Sequence, residues 1–210
     1  MTTTTTATPT THGAIMKPSL LAALCLLSLS ACSDDDPASQ GTAGGPPVED
    51  ELDPELQALY DCEEIDFSPT TNLDGPGWDA DAGTLVDPSQ DSYVVHTTQL
   101  ILKPDANPKL LELTGKVIGQ LQQTPGFVAL ALAGSDACNN VRTMGIWESE
   151  EAMYGMVNTG AHAEAMTFTT TISLSGRVTH WSATPDEVEA LTWDEAKSRV
   201  AEVKPSPIYE

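Results

Sequence analysis

Residues 141–166 read VRTMGIWESEEAMYGMVNTGAHAEAM, and this stretch decides the fold. Its first seven residues are rich in apolar and β-branched side chains and end in a tryptophan, which is typical of a buried strand. Ser149 then predicts a helix N-cap, and the two glutamates after it stand where carboxylates stabilise the helix dipole. Asn158-Thr159-Gly160 interrupts this helix, and Ala161 to Met166 resumes it. The stretch therefore predicts a strand, a sharp connection and a broken helix.

The residues before this stretch predict two further strands and a helix. Tyr93 to Lys103 is β-branched and apolar, and a proline ends this strand. Asn107-Pro108 begins a helix whose apolar side chains recur with a period of 3.6 residues. Those side chains are Leu110, Leu113, Val117, Ile118 and Leu121. Thr124-Pro125-Gly126 ends the helix, and Phe127 to Leu132 predicts the next strand, with a turn from Gly134 to Asn140.

The residues after the stretch predict one more strand and a C-terminal helix. Thr167 to Ser175 is ambiguous, because its threonines favour a strand whereas the glycine that follows fits a helix end. Arg177 to Ala183 predicts the fourth strand. Two capping boxes come next, Thr184 to Glu187 and Thr192 to Glu195. The second box opens a helix with one apolar face formed by Trp193, Ala196, Val200 and Val203.

The order of these elements is β-α-β-β-α-β, which predicts a ferredoxin-like domain of the α+β class. Its sheet carries helices on one face, and the C-terminal helix is an addition. The other face of such a sheet is left open. A sheet rich in Val, Leu, Ile and Trp needs a second cover. We therefore expect a homodimer in which two sheets form an α/β barrel.

Three segments carry a family resemblance: Arg142–Met166, RVTHW at 177–181 and LTWDEAKSRV at 191–200. Together they resemble the antibiotic biosynthesis monooxygenase-like proteins of the dimeric α/β-barrel superfamily, over about Ser92 to Val203. That superfamily includes cofactor-independent oxygenases acting on polyketide quinols, haem-degrading enzymes and members with no assigned activity. The resemblance implies the fold and the homodimer.

For function, the resemblance implies a monooxygenase-like domain that oxidises or binds a small aromatic molecule. No cofactor is expected, and haem is a remote possibility. The alternative is a lipoprotein without catalysis, which binds a ligand or has a structural role.

Three histidines are the candidate catalytic residues. His162 lies in the resumed helix with Met166 one turn later, and it suits a base, a hydrogen-bond donor to a phenol or a haem ligand. The alternative is a helix-end histidine bonded to a backbone carbonyl. His96 and His180 lie on two strands and converge on a ligand if both face the pocket. The alternative is that one of them is a core or surface histidine with no role in chemistry.

Trp147 and Arg142 are the candidate ligand-binding residues. Trp147 suits stacking on a flat aromatic ring, and the alternative is a large core anchor. Arg142 and Arg177 begin two different strands and suit a bound carboxylate. The simpler alternative is that they form ion pairs with the protein's own acidic side chains. The sequence contains no HExxH motif, glycine-rich phosphate loop or nucleophile elbow, so we predict no metal site.

The N-terminal region predicts export and lipidation. Residues 16–32 read MKPSLLAALCLLSLSAC, a charged start followed by an apolar run too short to span a bilayer. Leu29-Ser30-Ala31-Cys32 matches the bacterial lipobox, so residues 1–31 are the signal segment and Cys32 is the lipidated residue. The start codon is Met1 or Met16. Ser33 after the cysteine favours the outer membrane, facing the periplasm, within the cell envelope.

Two segments separate Cys32 from the barrel domain. Residues 32–52 are rich in Gly, Pro, Ser and Asp without aromatics, which predicts an acidic, flexible tether. Residues 53–91 predict an irregular acidic segment that opens with a short helix, capped by Asp53 and running to about Tyr60. Its scattered apolar side chains would pin it to a surface: Ile65, Phe67, Leu73, Trp78 and Leu85. The barrel domain follows at residues 92–204.

The charge and the cysteines complete the sequence-based picture. Asp and Glu outnumber Lys and Arg by 31 to 9, a net charge of −22, which argues against binding nucleic acid or anionic lipid headgroups. The membrane is therefore a partner through Cys32 alone. In an exported protein, Cys62 and Cys138 are expected to form a disulfide that closes a loop of about 75 residues. Metal ligation is the weaker alternative, because no CxxC or Cys/His cluster is present.

Overall fold

A computed structural model describes residues 52–206 of the chain. The predicted signal segment, Cys32 and nearly all of the tether lie outside the described residues. The helices within this range are α1 (Pro54–Tyr60), α2 (Asn107–Leu121), α3 (Glu150–Val157), α4 (Gly160–Met166), α5 (Thr169–Ile172), α6 (Pro185–Glu189) and α7 (Trp193–Ala201). The strands are β1 (Ser68–Pro69), β2 (Trp78–Asp79), β3 (Thr84–Leu85), β4 (Tyr93–Leu102), β5 (Phe127–Ser135), β6 (Asn140–Trp147) and β7 (Ser173–Ala183).

Strand β4 lies inside an antiparallel five-stranded sheet of order β1-β5-β6-β4-β7. It pairs with β6 on one side, where Val94 lies opposite Trp147, and with β7 on the other, where His96 lies opposite His180. The four long strands and the helices between them follow the order β-α-β-β-α-β. The predicted ferredoxin-like α+β fold is therefore confirmed. Strand β1 extends the sheet beyond β5.

Helices α2 to α5 pack on one face of this sheet, as the sequence predicted. The buried apolar side chains of α2 are Leu110, Leu113, Val117 and Leu121. Trp147 ends β6 in the same layer and is completely buried. The hydroxyl of Ser149 accepts a hydrogen bond from the amide of Ala152 at 3.2 Å, so the predicted N-cap of α3 is confirmed. This cap places the first turn of α3 directly after the end of the strand.

Strands β5 and β7 are longer than local sequence patterns predicted. Strand β5 continues to Ser135 rather than ending at Leu132, because it pairs with the start of β6. The ambiguous residues 167–175 divide into the short helix α5 and the start of β7, and Gly176 lies within that strand opposite Leu100. Pairing between neighbouring strands overrides the local preference of a glycine or a turn residue.

The opposite face of the sheet is covered by the same chain, and the sequence-based expectation of an open face is wrong. Val95, Met144 and Ile146 point to this side and are at most 3% exposed. They pack against side chains from two segments, namely Leu73, Trp78 and Leu85 before the sheet and Val188, Leu191, Trp193 and Ala196 after it. The predicted C-terminal helix is α7, and it packs here. The homodimer concerns two chains and stays a prediction.

The acidic segment before the sheet is held by a disulfide and by polar contacts. Cys62 is bonded to Cys138, as predicted, next to the turn between β5 and β6. The predicted helix α1 is present, and the side chain of Asp53 accepts hydrogen bonds from the amides of Glu55 and Leu56. Ile65 does not pin the segment, since its side chain is 79% exposed. Within residues 52–206, none of the helices combines the length and the apolar character that crossing a membrane requires.

Replacing both bonded cysteines by serine (C62S/C138S) should lower the free energy of unfolding by about 4 kcal/mol. The bond joins residues 76 positions apart, so it restricts the unfolded chain strongly. Urea denaturation followed by circular dichroism measures the change. Reduced wild-type protein should lose the same amount, and a much smaller loss in both samples would contradict the prediction.

Candidate functional site

A buried histidine–tryptophan pair forms the interior of the candidate site. The indole Nε1 of Trp147 donates a hydrogen bond to Nδ1 of His96 at 2.9 Å, and both side chains lie on the face covered by α2 to α5. An indole nitrogen can only donate, so Nδ1 of His96 is the acceptor. Neutral His96 therefore carries its proton on Nε2.

Gly145 makes room for this pair. It lies opposite His96 in the neighbouring strand, and a Cβ added there would stand 2.2 Å from Cε1 of the imidazole. Phe127 packs edge-on against the indole of Trp147, with 5.3 Å between ring centroids. Phe127 thus supports the indole, and the indole and Gly145 both contact the imidazole.

Burial makes His96 a poor base. Loss of contact with water, together with the nearby imidazoles of His162 and His180, lowers the pKa of His96 to about 3. A general base works best when its pKa lies near the working pH. His96 thus stays neutral at ordinary pH and suits a hydrogen bond better than proton uptake.

His162 lies inside the protein at the start of α4. Its Nδ1 is 2.8 Å from the carbonyl oxygen of Val157, and its backbone amide donates to Oε1 of Gln120 at 3.0 Å. The amide group of Gln120 also donates to the carbonyl of Thr159 at 3.1 Å. Gln120 therefore holds the break between α3 and α4 and, with it, the position of His162. The contact with Val157 is the one expected of a helix-end histidine bonded to a backbone carbonyl.

His180 is the accessible member of the group. Its side chain is 30% exposed, and its Nε2 lies 3.3 Å from Oε1 of Glu150. The ring of Tyr154 meets the imidazole edge-on, with 5.9 Å between centroids. Sequence reasoning did not select Glu150 or Tyr154 as site residues. They are four residues apart and so lie on one face of α3, and this spacing is the sequence feature that could have identified them as neighbours.

The structure brings the three predicted histidines and Trp147 to the same side of the sheet, but not Arg142. His96 and His180 are partners on adjacent strands, and the charge of His162 is close enough to affect the pKa of His96. Arg142 lies on the other face, where its Nε is 2.8 Å from Oε1 of Glu64. Its contact is the pairing with an acid that the sequence analysis named as the simpler use.

A surface cavity of about 690 Å³ lies beside this group, between the end of α2 and the start of α3. The three histidines do not line it. Its walls combine polar side chains, such as Gln123, Glu148 and Glu151, with apolar ones, such as Ala152 and Met156. None of the aromatic side chains of the site lines this cavity.

The position of His162 does not suit the haem ligation that was predicted as a remote possibility. Haem ligation by His162 needs open space for a porphyrin beside the imidazole, yet this residue is only 1% exposed. Among residues 52–206, no group of three or more His, Cys, Asp or Glu side chains could hold a metal ion.

Comparison with family models and with curated proteins returns no match. Among solved structures, the chain is similar to a Lactobacillus acidophilus protein with a provisional monooxygenase assignment, at 20% identity and a TM-score of 0.40. This similarity covers 46% of the chain and 49% of that protein, so the chain spans about half of its length.

Two further solved structures are similar to the chain. One is an antibiotic biosynthesis monooxygenase, at 18% identity and a TM-score of 0.40, covering 44% of the chain and 99% of that protein. The other is SnoaB, a cofactor-independent oxygenase from Streptomyces nogalater, at 14% identity and a TM-score of 0.37. This similarity covers 44% of the chain and 92% of that protein. The likenesses concern the fold alone and assign no activity to the chain.

His96 should give the folded chain a distinct dependence on pH. Its pKa of about 3 in the folded state lies below the ordinary value of 6.5, so the unfolded chain binds this proton first as the pH falls. The stabilising effect of neutral His96 is complete above pH 6.5 and is lost as the pH falls towards 3. Between these two pH values, the free energy of unfolding falls by about 1.4 kcal/mol for each pH unit on account of His96.

The variant His96→Asn tests this expectation, because its amide oxygen can still accept the hydrogen bond from Trp147 but does not titrate. Urea denaturation between about pH 5 and pH 6.5 avoids most of the range in which carboxylates titrate. The free energy of unfolding should fall less steeply with acid in His96→Asn than in wild type. The control is His180→Asn at the partially exposed position, and equal slopes in wild type and His96→Asn would refute the assignment.

Proposed function

We propose that the chain is an envelope-anchored lipoprotein whose monooxygenase-like domain binds a small hydroxylated aromatic molecule beside His180. The observation that carries the proposal is the accessible imidazole of His180, which contacts both the carboxylate of Glu150 and the ring of Tyr154. Of the three histidines on this side of the sheet, His96 and His162 are buried and His180 is not.

The side chains around His180 suit recognition of an aromatic hydroxyl. Aromatic rings favour edge-on or offset contacts with each other, so Tyr154 offers a surface for a flat ring. A hydroxyl group on that ring can donate its proton towards the imidazole of His180. The carboxylate of Glu150, 3.3 Å from Nε2 of His180, is placed to orient the imidazole towards that hydroxyl.

Oxidation of the bound molecule is the second candidate function, and the same histidine–carboxylate pair favours it. An aromatic hydroxyl that has lost its proton is the form that reacts more readily with dioxygen. Proton removal by His180 would therefore be the contribution of the protein, and no cofactor is needed for it. Binding without oxidation requires the same contacts and remains the simpler activity.

The location is proposed from the sequence of the N-terminal region. The lipobox ending in Cys32 supports a lipid anchor, and the acidic tether after it supports a domain held away from the membrane surface. A ligand of this protein would then be a molecule present in the envelope, at the outer membrane facing the periplasm.

Binding is tested with residues 33–210, which retain every described residue. Calorimetric titration with a panel of catechols, hydroquinones and naphthols should give saturable binding for at least one compound. Glu150→Gln should weaken that binding about tenfold, which corresponds to about 1.4 kcal/mol. Glu151→Gln is the matched control, because this neighbouring glutamate has no ion pair with His180 and should leave binding unchanged.

Two results would count against the proposal: no binding across the panel, or equal effects of the two glutamate variants. Oxygen uptake with the compounds that bind separates the two candidate functions. Uptake that Glu150→Gln slows and Glu151→Gln does not would favour oxidation, whereas binding without uptake would leave a ligand-binding protein.

The anchor is tested by replacing Cys32 with serine in the full chain. Cys32→Ser should abolish incorporation of a labelled fatty acid and release the protein from the membrane fraction. Cys25→Ser is the matched control, because Cys25 lies within the apolar run of the signal and not in the lipobox. Fatty acid incorporation that survives Cys32→Ser would contradict the assignment of the lipidated residue.

A further inference from the structure

The second face of the sheet is covered by a set of elements that we call the cap: residues 62–86 together with α6 and α7. Residues 62–86 precede the sheet in sequence and α6 and α7 follow it, so both flanks of the domain fold back onto the same surface. Beneath the cap lie Val95, Ala131, Met144 and Ile146, each at most 3% exposed. The sheet therefore has an apolar layer on each side within one chain.

The first part of the cap follows the edge of strand β5. The pairing of Ser68–Pro69 with β5 continues in an isolated bridge between Asp74 and Leu130 and in a hydrogen bond from the Gly77 amide to the Val128 carbonyl. These bonds occupy backbone groups that an exposed edge strand would offer to another chain.

Two glycines bring the cap unusually close to this strand. A Cβ at Gly75 would stand 2.3 Å from the carbonyl oxygen of Val128, and one at Gly77 would stand 2.9 Å from a methyl carbon of the same residue. Larger residues would push the segment away from the sheet. The cap is thus fitted to β5 and is not a loop that lies loosely over it.

The two parts of the cap are joined by an aromatic contact and an ion pair. Phe67 packs edge-on against Trp193 with 5.7 Å between centroids, and Nζ of Lys197 lies 3.3 Å above the ring of Phe67. Glu64 connects both parts to the sheet, because its carboxylate binds Lys197 at 2.9 Å and Arg142 at 2.8 Å. The three charged groups come from three different elements.

We infer that the cap takes the place of a second copy of the chain, so that the folded domain is a monomer. A ferredoxin-like sheet with an uncovered apolar face needs a partner layer, which was the physical reason to expect a homodimer. In this chain the layer is already present, and its contacts use the side chains that a second copy would have to meet. The inference does not depend on any ligand and replaces the homodimer expected from the sequence.

A consequence is that loosening the cap should create self-association. Phe67→Ala/Trp193→Ala removes the aromatic contact between the two parts while leaving the sheet residues unchanged. Combined with C62S/C138S, this double substitution removes both the aromatic contact and the disulfide that hold residues 62–86. The exposed apolar face should then bind the same face of another copy. Ile65→Ala is the matched control, since this side chain belongs to the cap and is 79% exposed.

The experiment measures the mass of residues 33–210 by light scattering and sedimentation across a wide range of protein concentration. Wild type and Ile65→Ala should keep the mass of one chain throughout. The loosened variant should rise towards twice that mass as its concentration increases. Hydrogen exchange gives a second readout, because Asp74 and Thr71 of the cap accept hydrogen bonds from the amides of Leu130 and Leu132. Both amides should be protected in wild type.

Wild-type protein with twice the mass of one chain would overturn the inference. So would a loosened variant that stays monomeric although its Leu130 and Leu132 amides exchange rapidly. If the loosened variant fails to fold, the mass of the wild-type protein and the protection of its Leu130 and Leu132 amides test whether the domain is a capped monomer. Rapid exchange of both amides in monomeric wild type would show that the cap does not cover β5 in solution.

Discussion

All ten residues of strand β4 are buried, and the rest of the structure depends on this one constraint. A strand buried along its whole length needs a neighbour at each edge and an apolar layer above and below it. Strands β6 and β7 pair with the two edges of β4, and helices α2 to α5 form one of the two apolar layers. The remaining layer comes from the flanks of the domain, which explains why an acidic, irregular segment is held in a fixed place.

The distribution of charge follows from the same requirement. Residues 53–91 contain eleven acidic side chains and no basic one, so the cations that hold this segment come from later in the chain. Arg142 and Lys197 meet Glu64, and the guanidinium of Arg177 lies over the ring of Tyr60 at 4.7 Å. Three of the few cations of the chain are therefore used in holding this segment to the sheet.

Burial also separates the three histidines by the chemistry open to each of them. Adjacent antiparallel strands put His96 and His180 side by side, but the first faces Trp147 in the core and the second faces solvent at the edge of the sheet. The buried imidazole has a lowered pKa and remains neutral, whereas the accessible one has a carboxylate beside it. The same residue type thus offers a fixed hydrogen-bonding group in one place and a candidate proton acceptor in another.

The sequence by itself determined the order of the elements and several of their ends, because these depend on neighbours along the chain. Helical periodicity located α2, Ser149 located the start of α3, and the alternation of strands and helices indicated the ferredoxin-like order. It also indicated that Cys62 and Cys138 form a bond. It predicted convergence of His96 and His180 only on the condition that both face the pocket.

Only the tertiary structure decided which side of the sheet each strand residue faces and what covers that side. The odd spacing of Arg142 and Trp147 on one strand already implies opposite faces. The tertiary structure decided that Trp147 meets the layer of α2 to α5 and that Arg142 meets Glu64. The segment before the sheet has no period that predicts where it lies. Its position results from contacts with residues far along the chain, such as the bond between Cys62 and Cys138 and the ion pair of Glu64 with Lys197, which no local pattern encodes.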